Sequence, residues 1–303
     1  MYLGAHIGIA DGLAEAPVTG RRIGCDAIQI FSKSPQMWAG APLSDDAARG
    51  FADAVRAQGL KATAVHHGYL ANMGSPKKAG LARSRRAFQE ELERAERIGV
   101  DALILHPGAH LTDGVDGGIA RIAEGLNRGF AAAPGGRVRV LLENAAGQGS
   151  TLGRTFPELA RILELVEDRS RIGVALDTCH LFGAGYDFRT EESYGRLVDQ
   201  LESELGAKEV HAFHLNDSKA ELGSHIDRHE NIGKGKIGLE GFRGFVNDPR
   251  WAEVPGYLET PLDDDDYASY VRDLSSLRSL LGPARREPAS ARAPRRRAPS
   301  SGT

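Results

Sequence analysis

The sequence predicts an α/β chain folded as a closed (β/α)8 barrel, a TIM barrel, over residues 1–281. A disordered tail rich in Arg, Pro and Ala follows at residues 282–303. Three observations predict this. Eight apolar, β-rich stretches recur along the chain. Amphipathic helical patterns lie between them. Six successive stretches carry a histidine or a carboxylate at or next to their last residue. A prior of ~150 residues per domain would divide 303 residues in two, but a (β/α)8 barrel uses about 250 in a single domain.

The apolar stretches run over Tyr2–Ile7, Ala27–Phe31, Ala62–His66, Ala102–His106, Val138–Glu143, Ile172–Asp177, Val210–Leu215 and Gly256–Glu259. Most are continuous rather than alternating, as parallel strands covered on both faces must be. Between them, Ser75-Pro76 reads as a helix start and Gly99 as its stop, with Leu81, Phe88, Leu92 and Ala95 at helical spacing. Ile119, Ile122, Leu126 and Phe130 form a second apolar stripe. Thr155 and Glu158 read as a capping box ahead of Leu159, Ile162, Leu163 and Val166. Tyr194, Leu197, Val198, Leu201 and Leu205 end at Gly206, and Tyr270, Val271, Leu274, Leu277 and Leu281 close the periodic chain. Strands alternating with helices make βαβ units, and eight of them favour a barrel over an open sheet. After Leu281 no apolar period survives, so burial there cannot offset the entropy of ordering.

Composition removes several classes. No run of ~20 apolar residues exists to span a membrane. Met1–His6 carries no charged segment followed by an apolar stretch, so no secretory signal is expected. Two cysteines, Cys25 and Cys179, cannot build a disulfide framework, and the chain reads as soluble and cytoplasmic. The net charge of -3 conceals an asymmetry: residues 282–303 carry six arginines and one acid, +5, which leaves -8 on residues 1–281. A body of that charge repels polyanions unless cations are bound to it.

The chemistry sits where strands stop. His66, His106, Glu143, Asp177, His214 and Glu259 each follow an apolar run, at gaps of 40, 37, 34, 37 and 45 residues, about one βα unit each. In a parallel barrel all strand C-termini face one rim, so these side chains converge there. His180, Asp227 and His229 lie just past strand ends. Five histidines and four carboxylates are nitrogen and oxygen ligands suited to Zn²⁺ or Mn²⁺. One zinc with an open position needs only three protein ligands, so nine suit a cluster of two or three metals with a bridging carboxylate. Three Zn²⁺ would add +6 to a body of -8. Of the other histidines, His110 is the first choice for a supporting role. His6, His67, His211 and His225 read as rim residues, and Cys179 reads as a buried small hydrophobe.

These residues fall within longer motifs. They are Leu105-His106-Pro107-Gly108, Glu143-Asn144-Ala145-Ala146-Gly147-Gln148-Gly149, Leu176-Asp177-Thr178-Cys179-His180, Ala184-Gly185-Tyr186-Asp187, His214-Leu215-Asn216-Asp217-Ser218-Lys219, Asp227-Arg228-His229 and Leu258-Glu259-Thr260. In them, from Gly4 to about Leu281, the chain resembles the endonuclease IV family, zinc-dependent apurinic/apyrimidinic endonucleases with a TIM-barrel fold. The resemblance implies three zincs, with Mn²⁺ an alternative at one site. His66, His106 and Glu143 would hold the first. Glu143, Asp177, His214 and Glu259 would hold the second, with Glu143 bridging. His180, Asp227 and His229 would hold the third. It further implies a monomer that acts on duplex DNA in the cytoplasm, at the nucleoid. The activity would be hydrolysis of the phosphodiester 5′ to an abasic site, leaving 3′-OH and 5′-deoxyribose phosphate, and removal of 3′ blocking groups.

The chemistry agrees with this independently. A hydroxide held by metals is a strong nucleophile at neutral pH, and metals neutralise charge on phosphoryl oxygens. Glu143 or Glu259 would position or deprotonate the water, and no Ser/His/Asp nucleophile is needed. An abasic nucleotide stacks poorly and is flipped at lower cost. Tyr69 and Leu70, after His66-His67-Gly68, match the family's minor-groove wedge. Without the resemblance they would read as a packed loop aromatic and a core leucine. The chain departs from the family at Gln36, where its best-known members place an inserting Arg, and at His67, where an acid commonly sits. Arg228 is placed to contact phosphate. The competing enzyme reading is a metal-dependent sugar isomerase or epimerase on the same barrel, which has no use for a third clasp at Asp227-Arg228-His229. A non-catalytic DNA-binding module is the third reading.

The tail has two readings, a solvated terminus or a non-specific DNA arm. If it is an arm, deletion of 283–303 should weaken DNA binding and flatten its salt dependence by about 0.9 in log–log slope for each phosphate the tail neutralises. An unchanged slope would leave the tail a solvated terminus.

Overall fold

The apolar runs become strands because their side chains are buried on both faces. The computed structural model describes residues 1–263 and 266–282, so the expected tail, from 283 on, lies outside the described residues. Seven strands come first: β1 (Tyr2–His6), β2 (Ala27–Ile30), β3 (Ala62–His66), β4 (Ala102–Leu105), β5 (Arg139–Glu143), β6 (Ile172–Asp177) and β7 (Val210–His214). A two-stranded hairpin, β8 (Asp217–Ser218) and β9 (His229–Glu230), precedes the last barrel strand, β10 (Pro255–Leu258). The eight long strands close in the order β1-β10-β7-β6-β5-β4-β3-β2, all parallel. All eight apolar stretches of the sequence are therefore barrel strands, and the fold is a TIM barrel.

Around the barrel lie α1 (Glu15–Arg22), α2 (Asp45–Gln58), α3 (Lys78–Ile98), α4 (Val115–Ala132), α5 (Phe156–Glu164), α6 (Thr178–Ala184), α7 (Glu191–Glu204), α8 (Arg243–Asn247) and α9 (Ala268–Ser279). Helices α3 and α2 stop at Gly99 and Gly59, both left-handed with φ of 79° and 65°. Two start signals resolve differently from the sequence reading. Helix α3 begins two residues after Ser75-Pro76, because the Ser75 hydroxyl accepts the Lys77 N–H and closes a turn ahead of the helix. Thr155 does cap α5, but Glu158 reaches back past it to the N–H groups of Gly153 and Arg154. The reciprocal capping box is instead at Thr190 and Ser193, on α7.

Strand alternation sorts the interior. Ala27, Ala64, Ile104, Leu141, Ala175, Ala212 and Tyr257 pack on one another inside the barrel. The alternate residues, such as Ile28, Val65, Leu103, Val140, Val174 and Phe213, join the shell packed under the helices. Since side chains alternate with period two, the residues two positions after each inner one face inward as well. These are Gln29, His66, His106, Glu143, Asp177, His214 and Glu259. A floor made mostly of alanine thus lies beneath a polar layer at the C-terminal rim.

Closure at β1–β2 needs a residue without a side chain. A Cβ on Gly4 would lie 1.9 Å from the Ala27 carbonyl oxygen, which is backbone and cannot rotate away. Gly4→Ala should cost roughly 1–3 kcal/mol or more by overpacking, and lower the melting temperature by several degrees. A melting curve unchanged from wild type would mean the two strands do not meet so closely.

Candidate metal centre

The nine side chains singled out at strand ends come together in one cavity. His66, Glu143, Asp177, His180 and His214 are buried, His106, His229 and Glu259 are partly so, and Asp227 is exposed. Among the described residues, five overlapping groups have their ligand atoms within 4.8 Å of one another: His66, His106 and Glu143; Glu143, Asp177, His214 and Glu259; His180, Asp227 and His229; His66, His214 and Glu259; and Asp177, Cys179 and His229. Glu143 belongs to two of them. His106 and Glu259 stand one residue beyond the last paired residue of β4 and β10, where the backbone leaves the sheet.

Local structure aims these groups. Asp177 ends β6 and caps α6, its Oδ1 accepting the His180 N–H at 2.9 Å. A short helix beginning on a strand end turns His180 back over the barrel mouth. Asp227 and His229 come from the β8–β9 hairpin.

The imidazoles are set up as ligands. His66 Nδ1 donates to the His67 carbonyl at 2.8 Å, His180 Nδ1 to the Asn144 carbonyl at 2.9 Å, and His229 Nδ1 to the Glu259 carbonyl at 3.1 Å. Each turns Nε2 into the cavity, where that of His66 meets Glu143 Oε2 at 3.1 Å and that of His180 meets Asp227 Oδ2 at 3.2 Å. His214 is reversed: Nε2 donates to Gln29 Oε1 at 2.8 Å and Nδ1 faces Glu143 Oε1 at 2.9 Å. Fixing one nitrogen on an oxygen acceptor is how proteins orient a ligating histidine. Nε2 of His229 is buried and makes no hydrogen bond, although carboxylate oxygens of Asp227 and Asp177 lie 3.2 and 3.5 Å away. That orphaned atom, with this donor set, fits a bound divalent cation.

Electrostatics point the same way. Burial opposes ionisation of Glu143, yet His106, His214 and His180 hold its carboxyl well below the usual range. Burial likewise works against Glu259 and Asp227, and neighbouring histidines hold both low. Burial would lower His214 and His229, but Glu259 and Glu143 lift the first, and Asp177 and Asp227 the second, each to about 9. His180 is raised well above its ordinary value, against burial, by Asp177, Asp227 and Glu143. Without cations the pocket therefore takes up protons to balance its carboxylates.

The sequence reading missed the residues that organise this pocket. Gln29, fully buried, donates through Nε2 to Glu259 Oε1 at 2.6 Å and to His6 Nδ1 at 2.9 Å, while its oxygen accepts from His214. The carboxylate fixes which way the amide points, since it can only accept. Asn216 donates to Asp177 Oδ2 at 2.6 Å and accepts the Glu259 N–H at 2.8 Å. Asn144 accepts the Asp177 N–H at 2.6 Å. One signal was available for Gln29, a lone amide inside the apolar run Ala27–Ile30. His110 makes no hydrogen bond to the cluster through its buried Nδ1, and His6 takes the supporting place instead. His67 bonds the Gly68 carbonyl, and burial pushes it down to about 4. His225 donates to Ala146, and His211 pairs with Arg139. Cys179 lies within reach of Asp177 and His229, but burial pushes its thiol up to about 12 and keeps the proton on.

Rim residues are exposed rather than packed. Tyr69 is 60% exposed and Leu70 41%, which overturns their reading as packed and core residues. The Tyr69 ring stands 5.9 Å from His66 and 6.4 Å from His106. Gln36 is exposed on the loop after β2. That loop abuts the Tyr69 loop so closely that a Cβ on Gly68 would lie 2.9 Å from the Pro35 carbonyl oxygen. Arg228 is exposed between two candidate ligands.

A parallel barrel whose C-terminal rim gathers five imidazoles and four carboxylates defines a metal-dependent barrel enzyme. The family description of xylose isomerase-like TIM barrels matches residues 20–280. A probable endonuclease 4 of Geobacter sulfurreducens is 44% identical over 280 residues, covering 92% of this chain and 94% of that protein. One from Chloroflexus aurantiacus is 41% identical over 278 residues, covering 92% and 97%. Among solved structures, endonuclease IV from Thermus thermophilus aligns with a TM-score of 0.80 at 33% identity, over 91% of this chain and 98% of that one. A D-tagatose 3-epimerase-like protein shares the fold alone, with a TM-score of 0.68 at 16% identity over 92% and 98% of the two chains. The chain belongs to the endonuclease IV family, and its class is that of a nuclease, a hydrolase. Among the described residues, no helix is long and apolar enough to cross a membrane.

The imidazole shifts make cation removal testable. In the cation-free protein His214 and His229 titrate at about 9, above the ordinary 6.5. The folded state holds these protons more tightly than the unfolded chain. Their stabilisation is therefore complete below pH 6.5 and lost as pH rises through 9. Chelator-stripped protein should melt at progressively lower temperature from pH 7 to 9, at roughly 1.4 kcal/mol per pH unit for each imidazole. Metal-loaded protein, its imidazoles held neutral, should not. A flat profile for stripped protein would mean these protons do not balance the carboxylates.

Proposed function

We propose that the chain hydrolyses the phosphodiester 5′ to abasic sites in duplex DNA, leaving 3′-OH and 5′-deoxyribose phosphate, and removes blocking groups from 3′ ends. It does so as a cytoplasmic monomer at the nucleoid. The observation that carries this reading is the gathering of nine ligands into three linked groups beneath exposed Tyr69 and Leu70. A cleft of about 280 Å³, lined by Tyr69, His106, Gln148, His180 and Asp227, opens onto the same cavity. The third group, His180, Asp227 and His229, separates this reading from a sugar isomerase, which needs one or two metals.

Three Zn²⁺, or Mn²⁺ at one site, would be held by His66, His106 and Glu143, by Glu143, Asp177, His214 and Glu259, and by His180, Asp227 and His229. When bound, such cations supply Lewis acidity toward phosphoryl oxygens and bring the pKa of water to about 7. The chain's own groups do the remaining work. Gln29 fixes Glu259 Oε1 and leaves Oε2, 3.4 Å from His214 Nδ1, to receive the proton of the attacking water. Glu143, ionised and shared between two groups, holds them in register. Water oxygen adds to phosphorus, the bond to the 3′ oxygen breaks, and that oxygen takes up a proton. Tyr69 and Leu70 enter the stack left by the missing base, an apolar and aromatic wedge at a step that opens at low cost. Gln36, on the adjoining loop, offers hydrogen bonds without charge, and Arg228 grips phosphate.

The test is a single-turnover assay on a duplex with one abasic analogue, beside metal analysis of the purified protein. We expect a nick 5′ to the lesion and three zincs per chain. One manganese and no nick would favour the isomerase, and tight binding without a nick would favour a binding module. Glu259→Gln should keep the fold and most DNA affinity and lose cleavage by at least roughly a hundredfold. Near-normal turnover would remove Glu259 from the reaction.

A further inference from the structure

The segment Gly233-Lys234-Gly235-Lys236-Ile237-Gly238 has the glycine spacing that in nucleotide-binding folds lets backbone N–H groups surround a phosphate. Here the surrounded anion belongs to the chain itself. Asp217 is fully buried, and its two oxygens accept five backbone N–H groups. Oδ2 accepts from Gly233 at 2.9 Å, Gly235 at 3.0 Å and Gly238 at 3.2 Å. Oδ1 accepts from Ile237 at 2.9 Å and Ser218 at 2.7 Å. The loop cannot take this course with other residues. Gly233 and Gly238 have φ of 80° and 74°, and a Cβ on Gly235 would lie 2.4 Å from both Asp217 Oδ1 and the Ser218 carbonyl oxygen. The Lys236 N–H adds a bond to that same carbonyl at 2.7 Å.

What this anchors is the outermost part of the metal centre. Asp217 and Ser218 are strand β8, paired antiparallel with β9 so that Ser218 lies opposite His229. The Lys219 N–H donates to the Arg228 carbonyl at 2.9 Å, between Asp227 and His229. The glycine loop thus grips one edge of β8, and the other edge carries two of the three ligands of the His180 group.

We propose that Asp217 is a positioning residue for that group. It is a built-in anion that pins the hairpin so that Asp227 and His229 meet His180, without itself touching a cation. This rests on the three-cation reading above. The negatively charged form matters, because five inward N–H groups leave no room for a donor. Asp217→Asn places an amide N–H₂ among them, and Gly235→Ala pushes the loop off the carboxylate from the opposite side.

The test is zinc content by mass spectrometry on the full chain, with hydrogen exchange over 217–238 and single-turnover rates on an abasic duplex. Wild type should hold three zincs per chain. Each variant should hold two, exchange faster in that loop and cleave at least roughly tenfold more slowly. Raised free zinc should restore occupancy and rate to Gly235→Ala, which a merely unfolded variant would not allow. Folded variants with three zincs and wild-type rates would overturn the proposal. So would loss of all zinc together with the fold, since the effect would then be general rather than confined to one group. A wild type holding fewer than three zincs would instead overturn the three-cation reading, and with it the group that Asp217 is said to position.

Discussion

Crowding of negative charge governs this molecule. Glu143, Asp177 and Glu259 bring carboxylate oxygens within 4.8 Å of one another, and all three carboxylates are largely out of water. Like charges ~4 Å apart repel by about 4 kcal/mol even at an effective dielectric near 20. Three such pairs approach the whole stability of a domain, roughly 5–15 kcal/mol. The fold can keep these groups ionised only with positive charge among them. His180, His214 and His229 supply it by taking up protons when cations are absent. Divalent ions supply it more fully, and they release the imidazoles to act as neutral ligands. The same arrangement that is costly when empty is a strong cation trap.

A trap for ions needs oriented donors, and most of the polar network around the pocket serves that need. Three imidazoles give Nδ1 to a backbone carbonyl, and the fourth gives Nε2 to Gln29. Gln29 accepts from one histidine and donates to another and to Glu259, so one amide settles the orientation of groups from β1, β7 and β10. Such a residue works only at the floor of the pocket, where the alanine layer leaves it space. Tyr69 and Leu70 remain in solvent above, on a loop free of these ties. On the proposed reading, the division between a hydrogen-bonded cation site and an exposed apolar lip suits a polyanion whose distorted part is read by shape.

The pocket is closed by an element that does not belong to the barrel. The β8–β9 hairpin brings Asp227 and His229 over the rim, and it is held by hydrogen bonds to a buried carboxylate rather than by a hydrophobic face. A two-stranded hairpin alone is marginal in water. Five N–H groups converging on Asp217 replace the core that it lacks.

The sequence by itself determined the barrel and the candidate ligands that gather at its rim. Apolar runs recurring with helical patterns between them admit few arrangements, and a parallel barrel sends every strand end to the same rim, so His66, His106, Glu143, Asp177, His214 and Glu259 were legible from spacing alone. Tertiary structure decided what spacing does not encode. Gln29 and His6 lie on strands with no ligand at their ends, and one polar residue in an apolar run has no periodicity to reveal it. Ser75 and Glu158 carry helix-start chemistry, yet each bonds a neighbouring backbone group that only the folded loop brings near. His110 was set aside and His6 chosen because hydrogen bonding depends on direction at a scale finer than any sequence pattern. Asp217 meets its donors across the intervening β8–β9 hairpin. Burial patterns are written in residue type and order, while the aim of a polar side chain is fixed only when the surrounding backbone has closed around it.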